Sequence, residues 1–185
     1  MVKETILDAK VKMTKSVEAL SKSYQRVRTG RASLSLLDGV RVKYYGTPTP
    51  LKQVASLTIP DPKTIMIQPW DPSVLGEIEK AILKSELGLT PANDGKVIRI
   101  PIPPLTEERR KELVRLVRKM AEESRVAIRN IRRDANEMIK ELKKEKEISE
   151  DEMHRAQDEV QKITNEFIKE VAGVCQEKEK EVLEV

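Results

Sequence analysis

Residues 125–136 read RVAIRNIRRDAN, with arginines at 125, 129, 132 and 133 and the apolar Val126, Ile128 and Ile131 threaded between them. Guanidinium groups do no proton transfer near neutral pH. Their chemistry is to grip carboxylates and phosphates with a planar fork of N–H donors. On a helical wheel at about 100° per residue, Arg115, Arg118, Arg125, Arg129, Arg132 and Arg133 fall within about 100° of arc, and Lys140 and Lys143 extend the stripe. The apolar seam of this segment is expected roughly opposite. Residues 109–133 hold ten Lys/Arg and three Asp/Glu, net +7, whereas residues 134–159 hold five and ten, net −5. A solvated helix face mixes signs, but here Arg125/Arg129 and Arg129/Arg133 place like charges at i,i+4, where they repel. A phosphate backbone is the expected compensation. A second basic knot, QRVRTGR (25–31), sets Arg26, Arg28 and Arg31 around Gly30. Arg26 could equally serve the dipole of a helix end. Arg28 and Arg31 are expected to bind or to hinge.

Other chemistry is thin. His154 is the one histidine and is expected on a solvated helix position; Cys175, the one cysteine, is expected in the core. A single cysteine excludes an internal disulfide and points to a reducing compartment. The chain has no Cys/His ligand cluster and no GxxxxGK[ST], GxGxxG or GxSxG. We therefore expect neither a catalytic constellation nor a metal or cofactor. No apolar run approaches the roughly 18 residues of a membrane span, and the N-terminus lacks a signal-peptide core, which reads as a cytoplasmic protein. The net charge of +4 is mild, and with five aromatic residues the core must be aliphatic.

The elements that would carry the arginines follow from punctuation. All ten prolines lie between Pro48 and Pro104, and six of seven glycines between Gly30 and Gly95. Residues 1–29 and 105–185 are thus free to be helical. The first has an apolar seam of Ile6, Met13, Val17, Leu20, Tyr24 and Val27. The second helix has Leu113, Val117, Met120, Ser124, Ile128, Ile131, Ala135, Met138 and Leu142. The third has Met153, Ala156, Val160, Ile163, Phe167, Val171, Val174 and Val182. Three such seams predict a long three-helix bundle. Ser149 and Glu152 form a capping box, with Ile148 and Met153 at the staple positions; the segment KKEKE (143–147) before it is a tight polar turn, so the last two helices are antiparallel neighbours. Thr106 opens the second helix. Between them, residues 30–104 predict a small α+β domain: strands in 40–46, 54–59, 64–68 and 96–100, and a helix opened by Asp71 and Pro72. The two crossings, Thr29–Gly30–Arg31 and Pro103–Pro104–Leu105, are short enough to act as a hinge.

Seven stretches in order carry a family resemblance: RVRTGRAS (26–33), YYGTPTPL (44–51), IPDPKTIMIQPWD (59–71), LGLTPANDG (87–95), RIPIPPLTEERRKEL (99–113), RVAIRNIRRDAN (125–136) and KEISED (146–151). End to end, the chain resembles the bacterial ribosome recycling factors. The resemblance implies an L-shaped α+β protein, near a transfer RNA in outline, with the three-helix bundle against large-subunit ribosomal RNA. It implies binding to the 70S ribosome after termination, as a monomer, followed by subunit splitting with elongation factor G and GTP hydrolysis by that partner. Initiation factor three then keeps the subunits apart. Arg129, Arg132 and Arg133 match the family's RNA-facing motif, with Arg125 and Arg118 on the same stripe, and Arg28 and Arg31 match its second basic patch. Two readings from other classes compete. A coiled-coil protein gripping a client by its acidic tip would bind ribosomes weakly and without salt dependence; an enzyme would need a pocket in the small domain.

Overall fold

The structure is a computed structural model, and it describes residues 1–184. Its contacts separate two compact units, one of Met1–Val27 with Glu107–Glu184 and one of Arg28–Thr106. Against the expected borders at 29/30 and 104/105, the units divide at 27/28 and 106/107, because the first helix ends at Gln25 and the bundle's second helix begins only at Glu107. Helix α1 runs Val2–Gln25; at its end the Arg26 amide donates to Ser23 O at 3.2 Å and the Val27 amide to Tyr24 O at 3.1 Å. Val27, expected on the seam, lies beyond the helix. Gly30 follows with φ +77, a left-handed conformation that glycine adopts without strain.

The first unit is three helices: α1, α3 (Glu107–Lys144) and α4 (Glu150–Leu183); α2 belongs to the other unit. At 38 residues, α3 extends about 57 Å at ~1.5 Å per residue. The Ser149–Glu152 capping box forms in full, with Ser149 N–H donating to Glu152 Oε2 at 2.7 Å and Glu152 N–H to Ser149 Oγ at 3.2 Å. Ile148 packs on the cluster that contains Met153. The core is aliphatic, around Met13, Leu20, Val117, Ile128 and Val171 at one end and Ile6, Ile139, Met153 and Val160 at the other.

The α3 seam departs from expectation in one respect. Met138 is 56% exposed, while Ile139 and Ala121 are fully buried. A strict seven-residue reading through 117, 124, 131 and 138 assumes 3.5 residues per turn, and an α-helix drifts about 20° from it each heptad. The buried face therefore runs 113, 117, 121, 124, 128, 135, 139.

The small unit holds two sheets. The larger has order β3–β4–β6–β5, all antiparallel, formed by Ala55–Asp61, Thr64–Pro69, Ile98–Pro101 and Ala92–Asn93. Ile65 opposes Ile100 and Ile67 opposes Ile98, all four fully buried, so one face of this sheet is core. The smaller sheet is a hairpin of β1 (Arg41–Tyr44) and β2 (Thr47–Pro50). Its two-residue turn, Tyr45–Gly46, has positive φ at both positions, as a right-twisted hairpin requires. Strand β2 was hidden in the sequence by its prolines. Leu51 N–H donates to Val40 O, so the even residues of β1 make the ladder bonds; Pro48 and Pro50 oppose Lys43 and Arg41, where no N–H is needed. Asp71 does cap with Pro72 behind it, but it opens a 3-10 turn, Pro72–Val74, and α2 proper is Leu75–Lys84. Leu75, Ile78 and Ile82 anchor α2 in this unit's core.

Candidate nucleic-acid interface

The arginine stripe forms as one face of α3, but it is neither opposite the seam nor bare. The buried positions Ser124 and Ile128 neighbour Arg125, whose side chain is only 26% exposed. Arg129 and Arg132 are likewise half-buried, and Arg133, Arg115 and Arg118 are exposed. The drift that brings Ala121 and Ile139 inward turns the stripe to the flank of the seam. Its methylene stems can thus cover apolar surface while the guanidiniums stay wet.

Three of the stripe's arginines have internal counterions, which corrects the expectation that the like charges stand unpaired. Glu122 accepts from Arg129 Nη2 at 2.7 Å and from Arg125 Nη1 at 3.0 Å. Those bonds, Arg129's first, hold the Glu122 carboxyl below the usual carboxylate range. Glu179 of α4 accepts from Arg118 Nε at 2.6 Å and Nη2 at 3.3 Å, a two-point contact that lowers its pKa in the same way. The Glu122 pairs were readable, since an acid three residues before one arginine and seven before another lies on their face. Glu179 was not, because a wheel for one helix holds no register between two.

The remaining stripe residues differ. Arg132 Nη1 donates to the neutral amide oxygen of Gln161 on α4, 3.2 Å away, and Gln161 in turn donates to Asn165 at 2.8 Å. That contact orients the guanidinium and leaves its charge uncompensated. Arg133 and Arg115 have no side-chain partner among the described residues. Arg115, Arg132 and Arg133 are therefore the arginines of the stripe where an incoming phosphate meets no internal carboxylate competitor. In the bundle's interior behind Arg118, Tyr24 donates from its hydroxyl to Val117 O at 2.7 Å, and burial pushes that hydroxyl's pKa up. Cys175 is buried next to it, its thiol also pushed up by burial, and donates weakly to Glu179 at 3.7 Å. Cys175 is thus a core residue, and His154 is exposed near Glu150.

In the small unit, Arg28 and Arg31 are exposed, and Thr29 and Gly30 between them are buried. Pro103 and Pro104 are exposed and Leu105 is half-buried. Among the described residues, no helix is long and apolar enough to cross a membrane.

A family model described as ribosome recycling factor matches residues 20–183. Ribosome-recycling factors of Syntrophobacter fumaroxidans and Desulfatibacillum aliphaticivorans are 64% and 62% identical, over 100% and 96% of both chains. Among solved structures, the solution structure of a ribosome recycling factor is 44% identical with a TM-score of 0.74, covering 100% of this chain and 98% of that one. A second has a TM-score of 0.63, is 51% identical and covers 99% of each chain. It is the T. thermophilus ribosome recycling factor, bound together with E. coli elongation factor G to the E. coli post-termination complex.

Proposed function

The chain belongs to the ribosome recycling factor family, and from that premise we propose that it binds the post-termination 70S ribosome in the cytoplasm. Together with elongation factor G, which hydrolyses the GTP, it splits the ribosome into subunits for a new round of initiation; initiation factor three acts on the separated subunits. In this reading the chain itself is not an enzyme. The observation that carries it is the 51% identity, over nearly the whole of both chains, to a factor bound with elongation factor G to a post-termination complex.

The α3 face supplies the ribosomal RNA contact. Arg132 and Arg133 lead it, because their charges are uncompensated, and Arg125, Arg129 and Arg118 follow once phosphate competes with Glu122 and Glu179. Arg28 and Arg31 add a second contact. Thr29–Arg31 and Pro103–Leu105 serve as the pivot between the units, for which glycine at the positive-φ position 30 and two consecutive prolines are suited.

Light scattering of post-termination ribosomes tests this. Adding the chain with elongation factor G and GTP is expected to lower the scattering to that of free subunits. No drop, or an equal drop without elongation factor G, would contradict it.

A further inference from the structure

In the small unit a cleft of about 270 Å³ lies between β1 and α2. Arg41 and Lys43 line it from the strand, and Lys80 and Lys84 line it from the helix; Glu77 is its one acid. The fold arranges these cations in two rows. Positions 41 and 43 flank the fully buried Val42, so their side chains share the strand's exposed face, about 7 Å apart. Positions 80 and 84 are i,i+4 on α2, about 6 Å apart, on a helix whose Ile78 and Ile82 are buried. Folding brings together four cations from segments far apart in the chain and supplies almost nothing to neutralise them. Lys80 and Glu77 are 3.7 Å apart, a loose exposed pair. Arg41, Lys43 and Lys84 have no side-chain hydrogen bond or ion pair among the described residues.

The strand contributes further donors. Because the even residues of β1 make the ladder bonds to β2, the amides of Arg41 and Lys43 turn away from β2, and no residue of β2 lines the cleft. Backbone N–H groups beside cationic side chains are an anion-binding arrangement.

We propose that this cleft is a further polyanion site, distinct from the α3 face and from the Arg28/Arg31 contact, and that it takes the phosphodiester backbone of RNA. The rows explain the choice over an acidic protein segment. A nucleic-acid strand carries a charge on every residue and matches paired cations along both walls. A peptide would need apolar anchors buried at the centre. The cleft offers none: Val40 on its wall is already buried, leaving Gly39 and Ala81.

The test uses the full chain with Arg115, Arg132 and Arg133 changed to Ala, which removes the α3 arginines that lack an internal counterion, and a fluorescent twelve-nucleotide oligouridylate. In that background, Lys80→Ala with Lys84→Ala is compared with Lys63→Ala with Lys96→Ala, which removes the same charge from the same unit outside the cleft. The cleft pair is expected to weaken binding about tenfold at low salt and flatten the salt slope of log affinity by roughly 1.4, two single-strand counterions. The control pair is expected to change affinity less than twofold. Amide shifts on titration should concentrate in residues 39–43 and 80–85. Equal losses in both pairs, or shifts spread over the whole unit, would mean diffuse charge and overturn the proposal. Competition by a twelve-residue polyglutamate as strong as by oligouridylate would assign the cleft to an acidic protein and overturn it as well.

Discussion

On α3, Glu122 lies 3.0 Å from Arg125 and 2.7 Å from Arg129, and Glu179 lies 2.6 Å from Arg118. In the small unit, Arg41, Lys43 and Lys84 share a cleft with a single carboxylate that is occupied loosely by Lys80. Both regions are basic, yet the first holds several of its cations against internal counterions and the second holds almost none. The pairing has a physical consequence. An exposed ion pair is worth little in water, so phosphate can displace Glu122 at small cost, whereas Glu179, 21% exposed and held at two points by Arg118, costs more to displace. The pairing still holds each guanidinium near its place before the phosphate arrives, which reduces the ordering entropy of binding. On the proposed reading, the α3 face thus suits a rigid partner met in one orientation. The cleft, with one loosely paired and one unpaired lysine on its helix wall, would on our proposal suit a backbone that can adjust.

The largest test of this contrast removes one region altogether. Replacing residues 28–106 by a short Gly/Ser linker leaves the bundle's own core intact, since its buried clusters draw only on α1, α3 and α4. The shortened protein is expected to unfold cooperatively, bind ribosomes and compete with the full chain, but to split none. Failure of cooperative unfolding would mean that the bundle needs the small unit to fold. A middle-sized effect separates scaffold from surface. Ile128 is fully buried beneath the arginine face, so Ile128→Ala should lower stability by about 2–5 kcal/mol. Its ribosome affinity at a temperature where it is folded should fall far less than that of a charge variant. Melting curves and pelleting on the same samples read both.

The smallest effect makes the α3 face resemble the cleft. Glu122→Gln releases Arg125 and Arg129 while keeping the side chain's size, and ribosome binding should tighten by a factor of about two. Stability changes with pH in a defined direction. The Glu122 carboxyl titrates below its ordinary value of 4.5 when folded, so its contribution is present above pH 4.5 and fades as pH falls below it. Denaturant curves of the two proteins should therefore differ at pH 7 and converge toward pH 3. A difference that grows on acidification would contradict the ion-pair account.

Much of this was legible in the sequence, for reasons that also explain the misses. The helices and the capping box at Ser149 are local features, governed by spacing and by side-chain chemistry within four residues. The drift from Met138 to Ile139 escapes a heptad pattern because the helix turns every 3.6 residues rather than every 3.5. Strand β2 was missed because proline usually argues against a strand, and only the register shows that Pro48 and Pro50 sit at positions without ladder bonds. The arginine stripe was visible, but its neutralisation by Glu179 required the packing of α4 on α3. The cleft was invisible for the same reason. Arg41 and Lys84 are ordinary surface cations until the fold sets their segments side by side.

The central claim is that Arg132 and Arg133 meet ribosomal RNA phosphate, and the most direct measurement is ribosome binding of Arg132→Ala and Arg132→Lys across a salt series, with melting curves alongside. Arg132 is half-buried and donates to Gln161, so Arg132→Ala should shift stability by about 1 kcal/mol or less, the worth of that bond and of the packed stem. It should weaken ribosome binding by about 1.5–3 kcal/mol, the range of a charge-assisted hydrogen bond. The salt slope of log affinity should flatten by roughly 0.7–0.9, one released counterion. Lysine should restore part of the affinity, because it returns the charge without the planar fork. Normal binding by Arg132→Ala at every salt concentration would contradict the account and leave the α3 face a solvated surface.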